Sequence, residues 1–169
     1  LASSAGVISV SSDGTDGSIA YAMVPLSTSY STGAAVGQAL PFELQTHCRN
    51  ADGLVRATIM HPGGTARTTS GSGTARNLGA VADGGKLVCF LHVLSVAGTS
   101  TPTVTVAVQS DSGSGMSSPT TVHTFNAATS VGGQWATVAG PITDTYYRVT
   151  WTITGTSPSF TFAAGLAVI

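Results

Sequence analysis

Apolar and polar positions alternate in strict period two through residues 103–110, TVTVAVQS. They alternate again through residues 146–155, YYRVTWTITG, where Tyr147, Val149, Trp151 and Ile153 share one face and Arg148, Thr150, Thr152 and Thr154 the other. Such alternation marks a half-buried strand. The run KLVCFLHVLSV, residues 86–96, is apolar on both faces and therefore predicts a central strand. Shorter strand patterns cover residues 19–24 (IAYAMV), 54–61 (LVRATIMH), 120–125 (TTVHTF, with Val122 and Phe125 inward), 132–139 (GGQWATVA) and 159–169 (SFTFAAGLAVI, with Phe160 and Phe162 on one face). QALPFELQTH, residues 38–47, reads as extended, with Pro41 assigning part of it to an edge. STSYSTGAAVG reads as a loop, and the Gly/Ser/Thr-rich stretch after His61 as a weak strand and a mobile loop around residues 70–73.

No segment carries a helical period. Regularly spaced strands and turn signals predict an all-β fold, an antiparallel jelly-roll-like β-sandwich of roughly nine or ten strands. Residues 1–18, with two Asp-Gly pairs, form an N-terminal arm or leading strand, and residues 19–169 a single sandwich domain. One phrase occurs twice: SVAGTSTPTVTV at 95–106 and WTITGTSPSFTF at 151–162. Glycine to turn and proline to stop a ladder predict two similar strand–turn–strand hairpins, placed in opposing sheets.

Composition narrows the function. Charged residues make up 8% of the 169-residue chain, against about 25% in an average soluble domain. Net charge is −1, and the five arginines form no cluster, which argues against nucleic acid as a partner. The most apolar run is too short to span a bilayer and contains His92, so no membrane is implied. The first residue is Leu, which reads as a processed start or an omitted upstream segment. Outward positions are mostly Thr, Ser, Ala and Gly. So little charge suits a chain that buries surface in an assembly, where neighbouring copies cover strand edges.

The chemistry-bearing residues do not converge in sequence. Asp13, Asp16, Asp52 and Asp83 each precede glycine, where turn geometry accounts for them. His47, His61, His92 and His123 form no metal-binding pattern, and no nucleophile elbow or phosphate loop occurs. The reading is therefore non-enzymatic, without catalytic residues, metal or cofactor. Candidate binding-loop residues, for a module that holds host glycan, are Tyr30, Ser70, Gly71, Ser72, Gly73, Asp111 and Trp135. For Trp135 the competing reading is a plug at the end of the sandwich. Cys48 and Cys89 are a candidate disulfide, although Cys89, in an apolar strand-like run, reads more readily as a buried free thiol.

LVRATIMHPGGTARTTSGSGTARNLGAV, KLVCFLHVLSVAGTSTPTVTVAVQSDSGSGMSSPTTVHTF and QWATVAGPITDTYYRVTWTITGTSPSFTFAAGLAVI together resemble a group of tailed-bacteriophage virion proteins. The resemblance covers residues 21–169 and is sharpest at VAVQSD, SSPTT and YYRVTWTITGTSPSFTF. It implies a structural role on the particle exterior, with no catalytic residues: a capsid decoration (cement) subunit first, a tail-tube or tail-associated subunit as the alternative. Some relatives carry a further N-terminal domain resembling a tail-tube barrel; no stretch of residues 1–169 reads as one, which favours decoration over a tail-tube role as an expectation. The implied partners are further copies of the chain and major capsid or tail subunits.

Overall fold

A computed structural model describes residues 6–32 and 42–169. The chain is all-β. The described residues form eleven strands and no helix: β1 (Ile8–Ser11), β2 (Ile19–Met23), β3 (Pro25–Thr32), β4 (Phe42–Cys48), β5 (Val55–His61), β6 (Gly71–Ser72), β7 (Arg76–Asn77), β8 (Lys86–Asp111), β9 (Thr120–Thr124), β10 (Gly132–Ala139) and β11 (Tyr146–Val168). Nine belong to one antiparallel sheet built on the path β1-β2-β5-β11-β8-β10, and β3 pairs with β4 in a separate two-stranded sheet. Two expectations change here. Residues 27–32 of the segment read as a loop lie in strand β3, its residues 33–37 lie outside the described residues, and residues 70–73 are held in the sheet through β6. Residues 38–41 of the expected edge strand lie outside the described residues.

The larger difference concerns the repeated phrase. Its two copies are not hairpin turns in opposing sheets. Each lies inside one long strand, and the two long strands pair with each other from Tyr146↔Asp111 to Val168↔Leu87. The copies face each other across the ladder, with Thr156 opposite Thr99 and register shifts on either side. Both strands bend there. Trp151 and Phe162 are eleven residues apart, a span of about 36 Å in a straight strand, yet their rings sit 5.6 Å apart edge-on. The β8–β11 ribbon is therefore doubled over on itself.

The bend has a reciprocal geometry. Gly98 (φ 123°) and Gly155 (φ 116°) both occupy backbone space that side chains rarely adopt. A Cβ on Gly98 would lie 2.9 Å from Pro158 Cα, and one on Gly155 2.8 Å from Pro102 Cα. Each glycine thus packs beneath the proline of the other copy. Ser100 (φ 57°), Thr101 (φ 51°) and Ser157 (φ 48°) complete the bend in the left-handed region, which is strained for a β-branched residue such as Thr101.

Doubling the ribbon creates the main core. Leu87, Cys89, Leu91, Val93, Phe160, Phe162 and Leu166 from one half meet Val104, Val106, Val108, Tyr147, Val149 and Trp151 from the other, all buried. The inward face assigned to Tyr147, Val149 and Trp151 by alternation is the observed one. The opposite face of the first half also buries Val88 and Phe90, together with Ala20, Ala22, Val55, Ala57 and Ile59, which explains why residues 86–96 are apolar on both faces. Here the sheet curls until β1 approaches β10. Ser9 Oγ and His92 Nε2 share a hydrogen bond of 2.9 Å, and Trp135 packs with Val7 against this second cluster. The small residues permit the curl: a Cβ on Gly165 would meet the Phe90 ring at 2.3 Å.

Because both cores depend on the bend, Gly98→Ala or Gly155→Ala is expected to cost about 2 kcal/mol or more through strain and overlap with the facing proline. Thr101→Gly relieves a left-handed β-branched residue and is expected to stabilise by about 0.5–1 kcal/mol. Urea denaturation of the three variants, compared at constant m-value, measures both signs.

Candidate functional site

Strand β5 ends at His61, where Pro62 and two glycines release the chain. The segment that follows crosses the open edge of the doubled ribbon. Arg67 exchanges two backbone hydrogen bonds with Phe160, at 2.7 and 2.9 Å, on one half of β11. Gly71 and Ser72 pair with Trp151 and Thr150 on the other half, and Arg76 pairs with Tyr147. Residues 62–77 are thus a strap joining the two layers. Beneath it lies a cavity of about 420 Å³, lined by Asp16, His61, Arg67, Ser72, Thr74 and Trp151 together with Met60, Pro62, Gly71 and Gly73.

The strap holds Arg67 and His61 in a defined state. Arg67 Nε donates to His61 Nε2 at 3.1 Å, so that nitrogen is an acceptor and the imidazole proton sits on Nδ1. Nδ1 in turn donates to the Phe162 carbonyl at 2.9 Å. The His61 ring stacks on Phe162 at 4.1 Å and meets Trp151 edge-on at 4.8 Å. Burial holds its pKa below the ordinary histidine value; the Phe162 carbonyl opposes this, the nearby Arg67 charge reinforces it, and Asp16 opposes it. The Arg67 guanidinium carbon lies 5.2 Å over the Trp151 ring, a cation–π contact. Trp151 Nε1 donates to the Thr69 carbonyl at 3.0 Å, so the indole is fixed as well. Gly71 lies flush on that indole, because a Cβ there would come within 2.9 Å of it. Across the cavity, Asp16 takes an ion pair of 2.9 Å and a second bond of 3.3 Å from Arg76.

Both His61 nitrogens are engaged, so the ring is no free base. What the site offers is recognition: a guanidinium positioned through Nε, hydroxyls on Ser72 and Thr74, and a carboxylate on the facing wall.

Of the residues expected in binding loops, Gly71, Ser72 and Gly73 line this cavity. Ser70 stands beside them, its Oγ accepting from the Ile153 amide at 2.9 Å. Tyr30 lies in strand β3 opposite Leu44 rather than in a loop. Asp111 and Trp135 do not line the cavity. Asp111 ties its own loop, accepting from Ser118 N at 2.8 Å, Gly113 N at 3.1 Å and Ser112 Oγ at 3.4 Å, and the Ser118 and Gly113 amides hold its carboxyl below the usual range. Trp135 faces Phe90 across the β8–β10 ladder, its Nε1 buried without a partner among the described residues. The cysteines are not paired: Cys48 donates to Met23 Sδ at 3.7 Å, and Cys89 is a buried free thiol whose pKa burial raises to about 12. Asp16, His61, Arg67 and Trp151 come from four separated segments, and no spacing rule joins them. The one local signal was an arginine inside the Gly/Ser/Thr-rich stretch that follows His61.

No family model matches the chain, and no curated protein matches its sequence.

The neutral state of His61 has a consequence for stability. Burial also lowers the pKa of His92 and His123. A group with a depressed folded pKa stabilises above its unfolded value and loses that contribution as pH falls through the folded value. Stability is therefore expected to be full above about pH 7 and to decline from about pH 6.5 downward. His61→Gln keeps an acceptor for Arg67 but cannot titrate, so it is expected to make the decline shallower. Melting curves from pH 8 to about pH 5 read this directly.

Proposed function

We propose that this chain is a structural subunit of a tailed-phage virion, a capsid decoration protein that stabilises the particle exterior by contacts with its own copies and with capsid subunits. In this reading the doubled ribbon is the centre of a jelly-roll-like sandwich. The sequence resemblance suggests the class, and one surface observation carries the mechanism. On the outer face of β1 and β2, Val10 (60% exposed) stands directly opposite Tyr21 (48%), with Ile19 (44%) beside it, and the exposed Arg56 borders the group as Tyr21's partner on β5. Monomeric surfaces scatter such residues singly; a contiguous group points to an interface.

The charges reinforce the reading. Arg76 is paired with Asp16, and Lys86, the single lysine, with Asp52. Asp144 accepts from Ser110 and Asp111 ties its own loop. Many of the few charges are thus spent inside the fold. The exposed bend at Gly98, Thr99, Ser100 and Thr156 offers only small neutral side chains. Adhesion would rest on apolar burial and backbone contacts. The tail-associated alternative uses the same surfaces and differs only in location.

Cryo-electron microscopy of purified particles tests the reading: density for the chain on the capsid shell is expected, density on the tail favours the alternative, and absence from the particle defeats both. Val10→Lys with Tyr21→Lys is expected to leave the melting temperature nearly unchanged. It is expected to weaken self-association or particle binding about tenfold or more, because centrally placed aromatics dominate interfaces.

A further inference from the structure

The strap cavity is not needed for adhesion by an apolar face, yet its polar groups are organised as a recognition site. The Arg67 main chain is fixed by two backbone bonds to Phe160, and its guanidinium is held at two points, the Nε bond to His61 and the face of Trp151. Its two terminal amino groups have no hydrogen-bond partner among the described residues. A guanidinium held this way presents a planar fork whose geometry matches a carboxylate, and little side-chain entropy remains to be lost on binding.

The rest of the wall selects among carboxylates. The Ser72 and Thr74 hydroxyls make no bond to the protein among the described residues. Asp16 also lines the space, close enough for its charge to act on the His61 ring. Arg76 pairs with both Asp16 oxygens, so Asp16 presents acceptor lone pairs rather than an unpaired charge. A polyhydroxylated acid matches this wall, since its hydroxyls can donate to Asp16 while its carboxylate meets Arg67, whereas an acidic side chain brings no hydroxyls to it. The volume, about 420 Å³, lies within the range of small-molecule sites.

We propose that the cavity between the strap and the bent β11 strand binds an acidic sugar, with its carboxylate on Arg67 and its hydroxyls on Ser72, Thr74 and Asp16. The assignment stands independently of any place in a virion. It specifies a monosaccharide unit of the uronic or sialic acid class, and it accounts for a strap that lines the space with Gly71, Ser72, Gly73 and Thr74 rather than with side chains that would fill it.

Nuclear magnetic resonance titration of the ¹⁵N-labelled chain with glucuronic acid, N-acetylneuraminic acid and neutral glucose tests it. At least one of the two acids is expected to shift the Trp151 indole and the Ser72 and Gly73 amides saturably, and glucose to bind about tenfold or more weakly. Arg67→Gln is expected to abolish the shifts, and Arg67→Lys to weaken them by keeping the charge without the fork. Should the Arg67 variants fold poorly, Ser72→Ala with Thr74→Ala removes only unbonded hydroxyls and is expected to weaken binding by several-fold at unchanged stability. Absence of shifts with both acids, shifts confined to other residues, or equal binding of glucose overturns the proposal.

Discussion

Everything in this protein hangs on the place where two strands bend together. Strands β8 and β11 are 26 and 23 residues long, and a straight ribbon of that length would reach roughly 80 Å with its apolar face open to water. The facing Gly–Thr–Ser–(Thr)–Pro segments prevent this. Each glycine leaves room for the opposite proline, and each proline removes an amide from a ladder that must break there. Neither bend works alone, because a kink in one strand without its partner would tear the pairing on both sides. The repetition in the sequence is thus a cross-strand solution to one steric problem, close to a local two-fold arrangement.

Once the ribbon doubles, its two edges each lie open between the layers and must be crossed by other chain. Residues 62–77 close the β11 side. On the β8 side, Phe125 N bonds Val106 O and Ala128 exchanges bonds with Val104, while β10 pairs along Lys86 to Val93. The cavity exists because the strap spans a corner rather than a flat sheet. Trp151 and Phe162 come from opposite halves of one strand, and only the bend lets both touch His61. The site geometry is therefore a consequence of the same constraint that makes the core.

This division decides what was legible in the sequence. Period-two alternation identified the all-β class and the inward face of Tyr147, Val149 and Trp151, and a run apolar on both faces the central position of residues 86–96, because each is a local statement about one strand. The continuity of the long strands was hidden. Glycine and proline have the same signature whether a chain reverses into a hairpin or bends within a ladder, and only the pairing partner separates the two. Residues 25–32, rich in Ser and Thr, read as loop for a related reason: β3 gains its ladder from β4, not from its own pattern. The cavity was legible only in part. Gly71, Ser72 and Gly73 stood out as a small-residue stretch, but Arg67, His61 and Asp16 acquire their relation from tertiary crossing. Asp111 looked available and is consumed by its own loop.

The scarcity of charge links the two surfaces. Where most ionic groups are paired or tied into turns, a protein surface attracts partners through apolar area and backbone groups, and such contacts respond weakly to salt. A preorganised guanidinium behaves differently. Asp16 across the cavity is paired with Arg76, so its charge is largely offset and the Arg67 fork can still attract a small anion, an attraction that added salt screens first where the cavity opens to solvent. The outer face of β1–β2 and the strap cavity are consequently governed by different forces, and the pairing of Asp16 with Arg76 is what leaves Arg67 free to act separately.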